Sequence, residues 1–147
     1  MRRILRSPVT NAAGIAAFTA FYAWIFLGHG ARLRPGPPPE RGFWAWWSGF
    51  LASGGSAVIA WALIAVAVLT VAMLLTRRRP YDEYHTAHLV QCLAVAAVLT
   101  LACIAAFFWM ILVDPAAVVE KFALFIAVHW ATVALADLAY VVACRWK

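Results

Sequence analysis

The fold is decided by residues 57–66, which read AVIAWALIAV and carry no charged or hydroxyl-bearing side chain. A segment of this kind is apolar on every side and offers no face to water. Only α-helices and closed barrels satisfy their backbone hydrogen bonds in lipid, and barrel strands alternate between apolar and polar residues. Because this run does not alternate, it predicts a helix that spans a membrane.

The composition of the chain extends this interpretation to its whole length. Of the 147 residues, 66% are hydrophobic and 12% are charged, whereas soluble domains have about 45–50% apolar and about 25% charged residues. Four stretches are long enough to cross a hydrocarbon core of about 30 Å. They lie near residues 10–28, 55–75, 88–113 and 121–144. We therefore expect one all-α integral membrane domain over 1–147, with four transmembrane helices in an up-down bundle.

The outer loop, 29–54, is expected to contain an additional short helix. The apolar stretch from Gly42 to Thr76 would be about 52 Å long as a single helix, which is longer than the bilayer is thick. Its helix-weak point is 53–56, which reads SGGS, so we expect an interfacial helix over 43–52 and a break before the second span. The tryptophans of this helix are interpreted as an aromatic belt, or else as a platform for a lipid, a quinone or a partner protein; they are Trp44, Trp46 and Trp47.

The basic residues predict the orientation, because Lys and Arg are retained on the cytoplasmic side of a membrane. Four spans put both termini on one side, together with the loop between the second and third spans. That side carries Arg2, Arg3, Arg6, Arg77, Arg78, Arg79, Arg145 and Lys147, and the other side carries Arg32, Arg34, Arg41 and Lys121. This imbalance predicts a cell (inner) membrane protein with both termini in the cytoplasm. We expect the net charge of +6 to meet anionic lipid, with no nucleic-acid partner, and Arg77, Arg78 and Arg79 to contact lipid or a partner.

Small residues four apart predict where helices approach closely, since lipid gives no hydrophobic reward for helix association. Such pairs occur on the first, third and fourth spans. They do not distinguish contacts within the chain from contacts between copies. The pairs are Ala12/Ala16, Ala13/Ala17, Ala102/Ala106 and Ala127/Ala131.

Asp82, His85 and His88 recur every third residue at the start of the third span and offer a carboxylate and two imidazoles to a metal such as zinc or iron. The alternative is a helix start in which acidic residues complement the helix dipole and His lies at the membrane interface. Haem held by two histidines is not expected within one chain, because the histidines fall at different depths. We expect no cofactor other than bound lipid.

His129 and Asp137 lie inside the fourth span, each eight residues from the nearest basic residue, which is about 12 Å along a helix. Ionisable groups at such a depth are candidates for function. They are also about 12 Å and about 80° apart around the helix, too far for direct contact. The structural alternative is that each donates one interhelical hydrogen bond.

Three functions follow from these residues. We expect a small non-catalytic accessory or structural subunit of a larger membrane assembly, whose partners are lipids and other membrane subunits or copies of itself. The alternative is a homo-oligomeric proton-coupled transporter or channel that uses Asp137 and His129. A further alternative is a metal- or redox-cofactor-binding subunit. No enzyme motif such as H-E-x-x-H or G-x-S-x-G occurs, which favours a non-enzyme.

Overall fold

The computed structural model describes residues 8–28, 42–76 and 83–145, and these are helical apart from short turns. The helices are α1 (Pro8–Ala23), continued by a π-helical turn (Trp24–Gly28), α2 (Phe43–Ala52), α3 (Gly55–Leu75), α4 (Glu83–Val113) and α5 (Val118–Arg145). Four of them, α1 with its π-helical turn, α3, α4 and α5, are long and apolar enough to cross a membrane. The all-α, four-span prediction is confirmed, and its span boundaries agree to within a few residues.

The predicted break before the second span is confirmed. Gly54 has φ +92°, in the left-handed region that glycine adopts without strain. The amide of Gly54 donates to the carbonyl of Leu51 at 3.2 Å and the amide of Ser53 to that of Gly49 at 2.9 Å. These bonds close the last turn of α2, and α3 starts anew at Gly55.

The helices alternate in direction and pack around α5, which contacts α1, α2, α3 and α4. One buried cluster joins the ends near α2 and includes Phe26, Trp47, Leu63 and Trp130. A second cluster joins the opposite ends of the spans: Ala12, Leu74, Leu89, Tyr140 and Val141. We call the end of the bundle near α2 the α2 end, and we call the opposite end the terminus end.

The most peripheral span is α4, which packs mainly against α5. The two helices run antiparallel. Towards the α2 end, the ring centroids of Phe107 and Phe125 are 5.0 Å apart. Towards the terminus end, those of His88 and Tyr140 are 6.3 Å apart. Among the described residues, the most apolar window of α4 has no buried residue, against 17–28% in the other three spans. Most of the α4 surface is therefore open to lipid or to another chain.

Substitution of Gly55 by alanine tests the tight turn between α2 and α3. A Cβ there would overlap the ring of Phe50, which stacks on Trp46 and Trp47 with centroids 5.9 and 5.6 Å away. Because the ring must leave this stack, we expect Gly55→Ala to lower the free energy of unfolding by about 1 kcal/mol.

The matched control is Gly49→Ala, since a Cβ at Gly49 would meet nothing within 4 Å and alanine favours a helix interior. Thermal unfolding in detergent, followed by circular dichroism, should rank Gly55→Ala below both the wild type and Gly49→Ala. Equal midpoints for the two variants would show that the turn is not tight.

Candidate functional site

His129 joins three spans through hydrogen bonds from both sides of its ring. Tyr22 on α1 places its hydroxyl 2.5 Å from Nδ1, and Thr100 on α4 places Oγ1 3.0 Å from Nε2. A neutral imidazole has one donor and one acceptor nitrogen. Because a phenol is the more acidic hydroxyl, we assign Tyr22 as the donor to Nδ1 and Nε2–H as the donor to Thr100. This group of three residues is named the Tyr22–His129–Thr100 junction.

Aromatic rings enclose the His129 side of this junction. Phe125 stacks on the imidazole with centroids 5.8 Å apart and an interplanar angle of 6°, and Phe18 approaches edge-on at 6.1 Å. Both ring nitrogens are engaged, so His129 could bind a metal or carry a proton only by releasing a hydroxyl. In this structure its hydrogen bonds join α5 to α1 and to α4.

The spacing of charged residues in the sequence identified His129 as a deep ionisable residue, but it did not identify Tyr22 as its partner. The missed signal is that Tyr22 is the one tyrosine in the first span. To pair Tyr22 with His129, one must know how α1 and α5 are aligned along their axes. Two apolar sequences do not reveal this alignment.

The energy of the Thr100 bond can be measured by replacing Thr100 with valine, which keeps the shape of the side chain. Interhelical hydrogen bonds in membranes average about 0.6 kcal/mol, and we expect a loss of stability of that size. The control is Thr70→Val, because the hydroxyl of Thr70 donates to the Val66 carbonyl of its own helix at 2.8 Å. A reversible detergent or denaturant titration measures both. If the double variant Thr100→Val with His129→Leu loses the sum of the single effects, the two side chains do not interact.

Asp137 lies on α5 on the terminus-end side of His129 and is half-buried. Among the described residues, none forms a hydrogen bond with its carboxyl group, either as donor or as acceptor. Across the α4–α5 contact, Cys92 packs against the cluster of Ala12, Leu74, Leu89, Tyr140 and Val141, which lies towards the terminus end. His129 and Asp137 therefore occupy one helix but separate environments.

The α2 end holds a polar cluster that the sequence did not predict. Lys121 is 1% exposed, and its ammonium group donates to the carboxylate of Asp114 at 3.1 Å and to the carbonyls of Ala116 (2.7 Å) and Asp114. It also lies 5.5 Å from the centroid of the Trp44 ring. Lys121 was counted from the sequence among the basic residues of the outer side, but its charged group is buried within the protein.

Asp114 completes this cluster from the exposed turn between α4 and α5. The amide of Ala116 donates to its carboxylate at 2.9 Å. This backbone bond, and then the bond from Lys121, hold the pKa of Asp114 below its usual value. The carboxylate form is therefore the one that the turn stabilises.

The three tryptophans of α2 have different surroundings. Trp47 is buried and donates from Nε1 to the carbonyl of Glu120 at 2.9 Å, while Trp44 lies over Lys121. Trp46 is 62% exposed and is the most exposed of the three. Trp47 and Trp44 anchor α2 to the start of α5, because the indole N–H and ring face find partners within the chain.

The proposed metal residues fall largely outside the described part of the chain. Asp82 and Arg77, Arg78 and Arg79 lie in the range 77–82, which is not described, and of His85 only the helical backbone is described. The ring of His88 lies beside Tyr140. The described residues contain no group of three His, Cys, Asp or Glu side chains that could hold a metal ion.

The structure therefore defines a multi-pass helical membrane protein with a polar junction inside the bundle. Comparison with protein-family models, curated proteins and solved structures finds no match to this chain. Its function must be inferred from its own geometry.

Proposed function

We propose that the chain is a small non-catalytic accessory or structural subunit of a larger membrane protein assembly. The observation that supports this is the open face of α4, whose most apolar window is 0% buried within the described structure. A span that contributes so little to its own bundle has most of its surface left for another chain.

The composition of the α4 open face suits helix contact. Ala102, Ala105 and Ala106 are all exposed, and they lie beside Leu101 and Trp109, each 66% exposed. Small residues let a second backbone approach closely in lipid, and neighbouring large side chains fill the space around it. By contrast, Ala127 and Ala131 of α5 pack inside the bundle.

We also propose that the protein lies in the inner membrane with both termini in the cytoplasm. The basic-residue imbalance of the sequence supports this orientation.

Purification from native membranes tests the accessory role. The tagged chain, expressed at its native level and extracted in mild detergent, should elute with a stoichiometric companion. The double variant Ala102→Leu and Ala106→Leu should lower recovery of that companion at least about tenfold, equivalent to about 1.4 kcal/mol.

The control is Ala62→Leu with Ala65→Leu, two exposed alanines on α3 that receive the same added volume. It should keep the companion. A wild-type chain that elutes as a lone monomer would contradict the accessory role, and equal loss in both double variants would contradict the assignment of the α4 face.

A second candidate function is supported by Asp137, whose carboxyl group has no hydrogen-bond donor among the described residues. Acids inside membranes are costly and usually paired. This favours a homo-oligomeric proton-coupled transporter or channel in which Asp137 carries the proton and His129 holds the helices. In proteoliposomes, Asp137→Asn should abolish pH-dependent flux, and unchanged flux would exclude Asp137 as the carrier.

A further inference from the structure

Asp137 lies on nearly the same side of α5 as Trp130. It is seven residues from Trp130, or about 20° around the helix, and Trp130 is fully buried. It is eight residues from His129, or about 80° around the helix and about 12 Å along it. The carboxyl group therefore lies between the direction of α4, which His129 faces, and the direction of the core.

Packed layers lie on both sides of Asp137. Towards the α2 end is the Tyr22–His129–Thr100 junction, which draws together three helices. Towards the terminus end is the cluster of Ala12, Leu74, Leu89, Tyr140 and Val141, whose Tyr140 is only about one turn from Asp137. The carboxyl group thus lies nearer to the terminus end, and its shorter route to water runs past Tyr140.

The groups around this position decide what the carboxylate can bind. Among the described residues, α4 contributes Cys92 and, one turn further, His88; α5 contributes Tyr140 and His129; α1 contributes Tyr22. No described residue of α3 is ionisable. Metal cations such as Ca²⁺ require several oxygen ligands, and these helices present no such set near Asp137. A proton needs one carboxylate oxygen.

We infer that Asp137 is a proton-binding site within the bundle, reached from the terminus end past His88 and Tyr140 and closed towards the α2 end by the Tyr22–His129–Thr100 junction. One O–H bond forms on the carboxylate when the proton arrives from water or from the His88 imidazole, and it breaks when the proton returns. No other bond changes. This inference deepens the second candidate function. It rests on that function only for the claim that the bound proton is used in transport.

The contacts between α4 and α5 support access from the terminus end. His88 of α4 is in ring contact with Tyr140 of α5, and Cys92, one turn further along α4, packs against the cluster that contains Tyr140. On α4, two turns separate Cys92 from Thr100, and Ala96 midway between them is half-buried. Asp137 is therefore about 12 Å along α5 from the junction but only about one turn from Tyr140.

Infrared difference spectroscopy of the full chain in lipid vesicles tests the site. Between about pH 6 and about pH 9, where carboxyl groups in water stay ionised, the wild type should show a protonated-carboxyl band that titrates and shifts in D₂O. The band should be absent in Asp137→Asn and retained in Asp137→Glu. It should also be retained in the control Asp114→Asn, whose exposed carboxyl group lies in the α4–α5 turn.

The route is tested by pH jumps on the same preparations. His88→Ala should slow the appearance of the band at least about tenfold, whereas Thr100→Val should leave its rate at the wild-type value. A band that survives Asp137→Asn, or no titrating band at all, overturns the site. An unchanged rate in His88→Ala overturns the route. A titrating Asp137 band without any flux leaves this inference standing and excludes the transporter instead.

Discussion

Replacing Trp130 with alanine is expected to lower the free energy of unfolding by about 3 kcal/mol or more. Trp130 is 0% exposed, and its ring lies 5.8 Å from that of Tyr22 and 6.0 Å from that of Phe26. In lipid the unfolded helices are already out of water, so the loss comes from the cavity and from the missing packing contacts. Truncation here removes the ring contacts that Trp130 of α5 makes with α1 and its π-helical turn.

Two control variants separate this packing loss from other effects. Trp130→Phe keeps most of the ring, and the indole Nε1 has no hydrogen-bond partner among the described residues, so we expect a much smaller loss. Trp61→Ala removes an indole that is 63% exposed on α3 and should leave the midpoint nearly unchanged. Unfolding in detergent, followed by circular dichroism, ranks the three variants. If Trp61→Ala is as destabilising as Trp130→Ala, the core is placed wrongly.

Replacing Lys121 with methionine is expected to release α2 from the bundle. The buried ammonium group connects three acceptors of the α4–α5 turn and also faces the ring of Trp44. Hydrogen bonds to charged groups are worth about 1.5–3 kcal/mol, and methionine leaves both carbonyls without their donor. We expect a loss of about 2 kcal/mol, localised at the α2 end.

Hydrogen exchange shows whether the loss is local. In Lys121→Met the amides of α2 should exchange at least about tenfold faster, while those of α3 keep their protection. Asp114→Asn is the milder control, because it removes only the exposed acceptor of the cluster. Unchanged exchange of α2 in Lys121→Met would contradict the anchoring role of this lysine.

The membrane-spanning elements could be predicted from the sequence because they depend on local properties. Long stretches without charge determine where helices cross lipid, and the glycine pair at 54–55 determines where α2 ends. Neither conclusion requires knowledge of which helices touch.

The contacts between helices could not be predicted in the same way. Each span is apolar on every side, so no polar stripe marks its outer face. The Tyr22–His129 pair joins residues 107 positions apart and depends on helix register. The same difficulty applies to charged residues. From the sequence, Lys121 was counted among the basic residues that flank the spans. In the structure, the α4–α5 turn provides acceptors for its ammonium group, and the residue is buried.

The residues proposed for function divide in a similar manner. Depth along the helix identified His129 and Asp137 as unusual, and this follows from spacing alone. Their different surroundings arise from a rotation of about 80° around α5, which directs one side chain to two hydroxyls and leaves the other without a donor. Sequence spacing gives the angle but not the neighbours.

The most direct test of the account is the sidedness of the two ends of the bundle. Single cysteines at Ala116 and Thr76, both exposed and at opposite ends, are introduced into a chain whose Cys92, Cys103 and Cys144 are replaced. The account predicts that an impermeant maleimide labels Ala116→Cys in intact cells and Thr76→Cys only after the cells are permeabilised. Labelling of both positions from the same side, or of Thr76→Cys alone from outside, would contradict four crossings with cytoplasmic termini.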